Sequence, residues 1–343
     1  MNRKLRLLGA ITAIFLSLLS GCISHVENEW ALKAMQIDKL RDLGFTGDGI
    51  RIGLIDTGVD LNKGNFDKRR FVAWKDLING KENFYDDNGH GTFIAGLLFS
   101  KRSLLGGMEG ICSGCDVIVV KAVSSTGMTN DSLLAEAIDF CIKSKADIIL
   151  LSLYKNQDNI EIGEKSIEEC IEAMEKGIFV VAPAGDDGIN DDGDVFELSG
   201  IDGVISVGSI NRNLYISAFS SRGNQAEVLG KHGERVDPNK KPELVAPGEG
   251  IRSIFGGGYV QKSGTSISAS LVAGSIALLL EAYPDLKEMG EDGIALLKYV
   301  LAKTAKKIGS EDLYSGEDLK HNDRYGYGLI QVYDAYKLLG EMV

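Results

Sequence analysis

One serine, at the start of a long apolar segment, could act as a nucleophile. Ser266 lies in Lys262–Gly274, after the glycine-rich turn Gly256–Gly258 and before the apolar run Val272–Leu280. The length of that run predicts a helix, which would place Ser266 at the positive end of a helix dipole, among backbone N–H groups without intrahelical partners. This environment suits a nucleophile, but a serine that merely caps a buried helix has the same pattern.

An acidic residue and an imidazole lie on two earlier connecting segments. Asp56 follows an apolar run and precedes Thr57-Gly58, a pattern that a simple turn also shows. His90 lies between two glycines, and it is the only one of the 4 histidines at a predicted strand-to-helix junction. The glycines would let another segment approach the imidazole closely, although a histidine in a turn needs no further role.

Taken together, Asp56, His90 and Ser266 could form a catalytic triad. A serine hydroxyl is a weak nucleophile until a base removes its proton. The imidazole can be that base, and a carboxylate can fix its tautomer and stabilise its charged form. The predicted chemistry is acyl transfer through a covalent intermediate, provided that the fold brings the three side chains together.

Alternating strand and helix patterns would position these residues. Short apolar runs predict strands over 50–55, 116–121, 147–153, 177–182 and 203–207, and amphipathic or apolar patterns predict helices over 30–43, 92–99, 131–143, 165–176, 264–283, 293–306 and 329–342. This alternation predicts an α/β fold with a mainly parallel β-sheet and helices on both faces. In such sheets the chemistry collects at the carboxyl ends of the strands.

The N-terminal residues have the pattern of an export signal. A basic start is followed by the apolar run Leu7–Leu19, which is too short to span a membrane as a mature helix, and then by Leu19-Ser20-Gly21-Cys22. This end resembles the lipobox of bacterial lipoproteins, which implies a signal peptide over 1–21, acylation of Cys22, a tether over 22–30 and a location on the extracytoplasmic face of a membrane. An ordinary signal peptide with an incidental cysteine is the alternative.

The charge of the chain limits its partners. The formal net charge is −12, and removal of 1–21, which holds three basic and no acidic residues, gives −15. Such a balance argues against nucleic acid or anionic lipid as a partner of the domain itself.

Four cysteines follow Cys22. Cys112 and Cys115 form a C-x-x-C pair without the context of a redox or zinc site, so a local disulfide is expected in an oxidising compartment. Cys141 and Cys170 fall in helical patterns and are expected to be buried thiols.

The sequence resembles the subtilisin-like serine proteases over about residues 29–340. The matching motifs are Ile55–Gly58, Gly89–Thr92, Ala218–Gly223, Val245–Gly248, Ser263–Ala269 with Val272–Gly274, and Gly326–Ile330. The resemblance implies one α/β domain over 31–343 that hydrolyses peptide bonds with Asp56, His90 and Ser266 as triad, the Ser266 backbone N–H in the oxyanion hole, and no cofactor for catalysis. A structural calcium ion is known in the family, but the basic loop Ser100–Ser103 does not supply the oxygen ligands of a calcium loop.

One catalytic position departs from the family pattern. The family has an asparagine that donates to the oxyanion where this sequence has Asp186. An ionised carboxylate cannot donate and would repel the developing negative charge. Either Asp186 is protonated in a poorly solvated site, or the enzyme relies on the Ser266 N–H and works slowly.

The resemblance also predicts a substrate cleft. Its predicted members are Gly127, Met128, Thr129, Ser152, Leu153, Tyr154, Pro183, Ala184 and Gly185. The segment 127–129 matches the strand that pairs with the substrate backbone, so an extended peptide or protein segment is the expected partner. Tyr154 replaces a usual glycine beside the first specificity pocket and would restrict specificity, unless its ring turns outward.

The sequence thus predicts a membrane-tethered, extracytoplasmic serine endopeptidase of restricted specificity that processes a secreted peptide or a surface protein. Few residues separate Cys22 from the domain, so folding without the usual pro-domain is expected. The alternative is a protein of the same fold that binds extended peptides without cutting them. The intact triad favours the enzyme, whereas Asp186 and Tyr154 favour the binding role.

Overall fold

A seven-stranded parallel β-sheet forms the centre of the computed structural model, which describes residues 28–102, 109–153, 160–188, 193–228, 231–232 and 234–343. Its strands are β1 (Arg51–Asp56), β2 (Phe71–Asp76), β3 (Asp116–Lys121), β5 (Ile148–Leu151), β7 (Phe179–Pro183), β8 (Ile205–Ile210) and β11 (Leu244–Pro247). They lie in the order β11–β8–β7–β5–β1–β3–β2. The central strands are buried Val, Ile and Leu runs, as expected for a parallel sheet covered on both faces.

Three short strand pairs accompany the sheet. They are β4 (Thr129–Asn130) with β6 (Ile160–Glu161), β9 (Glu227–Val228) with β10 (Lys231–His232), and β12 (Ile251–Phe255) with β13 (Gly258–Lys262). The β12–β13 pair is an antiparallel hairpin whose turn contains Gly256 and Gly257, both at positive φ. It leads directly into the segment that contains Ser266.

Nine α-helices lie in the described residues. They are α1 (Glu29–Ala34), α2 (Ile37–Asp42), α3 (His90–Phe99), α4 (Asp131–Lys143), α5 (Glu164–Glu175), α6 (Thr265–Ala282), α7 (Asp285–Glu288), α8 (Glu291–Thr304) and α9 (Val332–Met342). The predicted α/β fold is confirmed, and the bounds of most predicted helices and strands agree within a few residues.

The sheet separates two layers of helices. Gly53 on β1 faces α4, since a Cβ at this glycine would lie 2.6 Å from Cys141 Sγ. Asp56 lies three positions further along β1 and therefore faces the opposite layer, which contains α3. Helix α6 packs on β5, β7, β8 and β11, so the segment with Ser266 is fixed to the centre of the sheet.

Helix α6 is buried along almost its whole length. Every residue from Thr265 to Leu280 is buried. Among the described residues it is also the one helix long and apolar enough to cross a membrane, with a mean hydropathy of 1.5, but 89% of it is buried inside the molecule. Apolar residues on all sides of such a helix indicate a core position, which holds Ser266 rigidly.

The first predicted helix, over 30–43, was wrong as a single element. The structure divides it into α1 and α2 because Gln36 adopts a left-handed conformation with φ 61°. The Gln36 side chain accepts from the Asp334 backbone N–H at 3.1 Å and donates to the Asp334 carboxylate at 3.0 Å. These tertiary contacts with α9 hold a conformation that helical periodicity does not reveal.

The expected disulfide between Cys112 and Cys115 is not formed. Both residues are buried free thiols, as are Cys141 and Cys170. The turn at Gly47 covers the first pair, since a Cβ at Gly47 would lie 2.4 Å from Cys115 Sγ. Burial raises the pKa of the Cys115 and Cys141 thiols, which keeps both in the unreactive neutral form.

Candidate active site

The carboxyl ends of neighbouring strands bring the predicted catalytic residues together. Asp56 is the last residue of β1, which lies between β5 and β3. His90 is the first residue of α3, and Ser266 is the second residue of α6. The structure therefore places all three at one edge of the sheet, where ligands bind in parallel α/β folds.

The three side chains form a continuous hydrogen-bonded chain. His90 Nδ1 lies 2.9 Å from each carboxylate oxygen of Asp56, and His90 Nε2 lies 3.0 Å from Ser266 Oγ. With its proton on Nδ1, the imidazole donates to Asp56 and its Nε2 accepts from the serine hydroxyl. This is the arrangement in which an imidazole can act as general base on a serine.

Burial and charge act in opposite directions on His90. Burial lowers the pKa of His90, but the negative charge and the hydrogen bond of Asp56 together raise it by more, so the pKa lies above its ordinary value. The stability that the charged pair contributes is present below the unfolded pKa of about 6.5 and is lost as the pH rises through the higher folded pKa. The base must be neutral to accept a proton, so activity is expected to rise with pH across this titration.

The first turn of α3 is held by side chains from other segments. The N–H groups of His90, Gly91 and Thr92 donate to Asn88 Oδ1 at 3.2 Å, Thr57 Oγ1 at 3.0 Å and Asp86 Oδ2 at 2.9 Å. These groups have no partner within the helix. The bonds therefore fix the start of α3, and with it the imidazole, to the loop that follows β1.

Asp86 is a positioning residue that the sequence analysis missed. Its carboxylate accepts five hydrogen bonds, from the Thr57 hydroxyl, the Asn88 and Gly89 N–H groups, and both the N–H and hydroxyl of Thr92. An aspartate four positions before a helix that has glycine at its N-cap was the signal that could have revealed it, since glycine has no side chain to cap with.

Lys121 is a second residue that the sequence analysis missed. Its fully buried ammonium donates to the Thr57 carbonyl at 2.6 Å, the Val123 carbonyl at 3.1 Å and the Asp87 carboxylate at 2.7 Å. These acceptors lie on the loop after β1, the segment that follows β3 and the loop before α3. One buried cation therefore ties together the segments that carry Asp56 and His90.

Replacement of Lys121 by methionine is expected to lower the free energy of unfolding by about 2–4 kcal/mol, because it leaves a carboxylate and two carbonyls without their donor. Urea unfolding of the purified protein measures this. Lys143→Met is the matched control, since the Lys143 side chain is 74% exposed and pairs with Asp139 on the helix surface. An equal midpoint for both variants would contradict the role of Lys121.

Asp186 contacts the residue that precedes the nucleophile. Its Oδ1 accepts from the Thr265 N–H and the Thr265 hydroxyl, both at 2.8 Å. Its Oδ2 lies beside Gly264, near the nucleophile, since a Cβ at Gly264 would lie 3.2 Å from Oδ2 and 3.4 Å from Ser266 Oγ. The oxygen near Gly264 is thus not the one that Thr265 engages.

Burial raises the pKa of Asp186 above its ordinary value, and the nearby Asp187 acts in the same direction. The hydrogen bonds from Thr265 and the charge of His90 oppose the shift but do not cancel it. A carboxyl with a raised pKa keeps its proton to a higher pH, so Oδ2 gains the capacity to donate.

Loss of the Thr265 hydroxyl should raise the pKa of Asp186 further. Thr265→Val removes a donor that favours the ionised carboxylate, so covalent labelling of Ser266 is expected to persist to higher pH than in the native chain. Thr265→Ser keeps the hydroxyl and serves as control. The pH dependence of labelling rate measures the shift, and a shift toward lower pH in Thr265→Val would contradict the proposed hydrogen-bond effect.

Most of the predicted cleft residues lie next to this centre. Ser152 and Leu153 follow β5, Pro183 ends β7, and Ala184 and Gly185 lead to Asp186. Buried hydroxyls normally have a hydrogen-bond partner, yet Ser152 Oγ and Thr129 Oγ1 have none among the described residues. Tyr154 lies outside the described residues.

The segment 127–129 differs from the expected open strand. Gly127 is in a turn with φ 84°, and its N–H donates to the Ser124 carbonyl at 3.1 Å. The Ser124 N–H donates to the Met128 carbonyl at 2.9 Å, and Thr129 pairs with Ile160 in β6. Strand addition of a substrate at this segment therefore stays a prediction.

Metal and lipid sites are the remaining predictions. Across the parts of the chain that the structure describes, no cluster of three or more His, Cys, Asp or Glu side chains is arranged to hold a metal ion. Cys22 lies outside the described residues.

The contacts of Asp56, His90 and Ser266 have the geometry of a serine peptidase triad in the order Asp, His, Ser. A family model described as the subtilase family matches residues 47–328. Subtilisin DY of Bacillus licheniformis is 26% identical over 84% of this chain and 95% of its own length. An intracellular serine protease of Paenibacillus polymyxa is 31% identical over 68% of this chain and 67% of its own length.

A third relative is longer than this chain. The minor extracellular protease Epr of Bacillus subtilis (strain 168) is 27% identical over 88% of this chain, and the match spans 41% of that protein's length. The chain belongs to the subtilase family of serine-type peptidases.

Proposed function

We propose that this protein is a lipid-anchored, extracytoplasmic serine endopeptidase of restricted specificity. The observation that carries the catalytic part is the chain of contacts from Asp56 through His90 Nδ1 and Nε2 to Ser266 Oγ, with steps of 2.9 and 3.0 Å. No cofactor takes part in this chemistry.

In the proposed reaction, Ser266 Oγ attacks the carbonyl carbon of the scissile peptide bond as His90 Nε2 takes its proton. Asp56 holds the imidazole in the required tautomer and stabilises the charged form. The tetrahedral oxyanion accepts from the Ser266 backbone N–H and, at a pH where Asp186 is protonated, from Asp186 Oδ2. His90 then protonates the leaving amine, and water hydrolyses the acyl-enzyme by the same route in reverse.

The substrate is proposed to be an extended segment of a secreted peptide or a surface protein. The buried hydroxyls of Ser152 and Thr129 have no partner in the part of the chain that the structure describes. They favour a ligand with polar atoms beside the cleft, since buried hydroxyls are rarely left unpaired. The backbone groups and side chains of a peptide would supply such atoms.

Anchoring through Cys22 is proposed from the basic start, the short apolar run and the small residues before that cysteine. The similarity to the minor extracellular protease Epr supports export. Mass spectrometry of the purified protein tests the anchor: an acylated Cys22 at the N-terminus supports it, and an intact or differently cleaved leader overturns it.

A second candidate is a peptide-binding protein with little or no catalysis. The carboxyl group at Asp186 favours it, since an ionised carboxylate there opposes the oxyanion. Labelling with a fluorophosphonate from pH 5 to 8 distinguishes the enzyme from the binding protein when the native chain is compared with the variants Ser266→Ala and Asp186→Asn. Labelling that requires Ser266 supports the enzyme, whereas labelling only in Asp186→Asn supports the binding protein.

A further inference from the structure

The start of the described chain is fixed to the hairpin beside the active site. Asn28 Nδ2 donates to the Arg252 carbonyl at 2.7 Å, and the Arg252 N–H donates to Asn28 Oδ1 at 3.0 Å. Cys22 precedes Asn28 by six residues, which span at most about 22 Å when fully extended. If Cys22 is acylated as proposed above, β12 must therefore lie close to the bilayer.

The hairpin presents an amphipathic surface there. On β13, Tyr259 is 41% exposed and Val260 is 37% exposed. The Arg252 guanidinium lies 5.4 Å from the centroid of the Tyr259 ring. Tyrosine beside an arginine suits the boundary between lipid headgroups and acyl chains. Val260, the next residue of β13, adds an exposed aliphatic side chain on the opposite face of the hairpin.

Exposed cations continue this surface. Lys63, Lys68, Arg69, Lys101 and Arg102 are all exposed, and we call them the basic face. Lys63 lies beside the hairpin turn, since a Cβ at Gly257 would be 3.6 Å from Lys63 Cδ. The acidic residue within these segments, Asp67, is 12% exposed in its side chain and is bound by Arg69 and Lys101.

Backbone contacts make the basic face one surface. The Lys101 N–H donates to the Asn65 carbonyl at 2.7 Å, and Asn65 Nδ2 donates to the Lys101 carbonyl at 2.8 Å. These bonds join the loop that carries Lys63 to the end of α3. The local positive charge contrasts with a chain that has 37 basic and 49 acidic residues, so the net charge conceals it.

We infer that the basic face and the hairpin tip, Gly256–Val260, form a surface that docks on the anionic membrane carrying the anchor. The inference rests on the proposed acylation of Cys22. Each Lys or Arg near an anionic bilayer adds attraction that decays within a Debye length. The short tether keeps the basic face within reach of the headgroups, and Tyr259 and Val260 enter the interface.

Docking would place the catalytic cleft at the membrane. Phe255 of the hairpin packs against the residue before His90, since a Cβ at Gly89 would lie 2.6 Å from its ring. From β13 the chain runs directly to Ser266. The substrate class is therefore polypeptide segments that are themselves held close to the same membrane.

The test uses the full chain, expressed with its leader and reconstituted into vesicles of either phosphatidylcholine alone or phosphatidylcholine with phosphatidylglycerol. A nitroxide is attached at Val260→Cys or, as control, at Tyr215→Cys, which replaces a 63% exposed side chain. The described native cysteines are buried. Docking predicts that a water-soluble relaxation agent loses access to position 260 in phosphatidylglycerol vesicles and keeps access to position 215.

Charge reversal separates docking from anchoring. The triple variant Lys63→Glu, Lys68→Glu, Arg69→Glu should restore aqueous access at position 260. The matched control is Lys143→Glu, Lys176→Glu, Lys303→Glu, whose native side chains are 74%, 50% and 41% exposed. This control should leave the protection at position 260 unchanged. Melting temperatures show whether both variants remain folded.

The mass of the N-terminal peptide shows independently whether Cys22 is acylated. Acylated Cys22 with full aqueous access at position 260 in phosphatidylglycerol vesicles would overturn docking and leave the anchor standing. If Cys22 is not acylated, the proposed anchor is wrong. Docking is then measured as co-sedimentation of the unacylated full chain with vesicles. About tenfold weaker binding to phosphatidylglycerol vesicles after the triple reversal would support it, and no binding by the native chain would overturn it.

An acidic substrate is the remaining explanation for the basic face. It predicts that the triple reversal lowers kcat/KM on a soluble acidic peptide while position 260 stays accessible in every vesicle. That result would also overturn docking.

Discussion

Replacement of Ser266 by alanine is expected to lower kcat for peptide hydrolysis by about 10⁶-fold, the size of the loss when the nucleophile of subtilisin is removed. The reason is that Ser266 Oγ, 3.0 Å from His90 Nε2, is the hydroxyl that the imidazole is placed to activate. Steady-state hydrolysis of an unstructured peptide mixture, with fluorophosphonate labelling of the same samples, measures the effect.

Ser270→Ala is the matched control for this variant. Ser270 lies on the same buried helix, but its hydroxyl donates to the Ile267 carbonyl at 2.7 Å and takes no part in the triad. Labelling and hydrolysis should persist in the control. If Ser266→Ala retained native labelling, the nucleophile would have to be another residue.

Replacement of Asp186 by asparagine is expected to raise kcat by about 10²–10³-fold above neutral pH, the range over which an oxyanion-hole donor acts in subtilisin. Asparagine can keep a carbonyl oxygen on the Thr265 donors and direct its amide N–H groups toward the position of Oδ2, beside Gly264 and Ser266. An amide donates at every pH, whereas the carboxyl donates only when it is protonated.

The native chain and the Asp186→Asn variant should also differ in the shape of the pH dependence of their activity. Activity of the native chain requires His90 neutral and Asp186 protonated, so the rate should rise as His90 loses its proton and fall as Asp186 ionises, which gives a bell. The pKa of each group is raised. In Asp186→Asn only the rise through the His90 titration should remain.

Asp187→Asn provides a neighbouring control. It removes a carboxylate that raises the pKa of Asp186 but leaves the donor itself in place, so the bell should survive with its falling limb at lower pH. The proposed role of Asp186 would be contradicted if Asp186→Asn kept the falling limb, or if its kcat above neutral pH were no higher than that of the native chain.

The sequence was most informative where chemistry and strand periodicity coincide. Asp56, His90 and Ser266 each follow or open an element whose apolar pattern is unambiguous, so their meeting at one sheet edge could be predicted. Strand β2 could not, since it is an edge strand with only Phe71 and Asp76 buried, which removes the apolar run. Strand β13 is similar, because most of it is exposed.

The supporting residues of the site were missed for a different reason. Lys121 and Thr265 act through hydrogen bonds to partners that are distant in the chain, such as the Thr57 carbonyl for Lys121 and Asp186 for Thr265. No local pattern specifies such contacts. Conversely, the resemblance identified Asp186, but only the structure shows that Thr265 engages Oδ1 and that Oδ2 lies beside Gly264.

The buried thiols give the chain internal reporters of local opening. Cys112 and Cys115 lie under the Gly47 turn, whose N–H is held by the Glu281 carboxylate at 2.6 Å, while Cys141 and Cys170 lie on α4 and α5. A thiol reagent can modify each cysteine only when the segment that buries it opens. Modification rates therefore give the free energy of local opening at the Gly47 turn, at α4 and at α5. Because no disulfide constrains these regions, the rates measure the cooperativity of the fold itself.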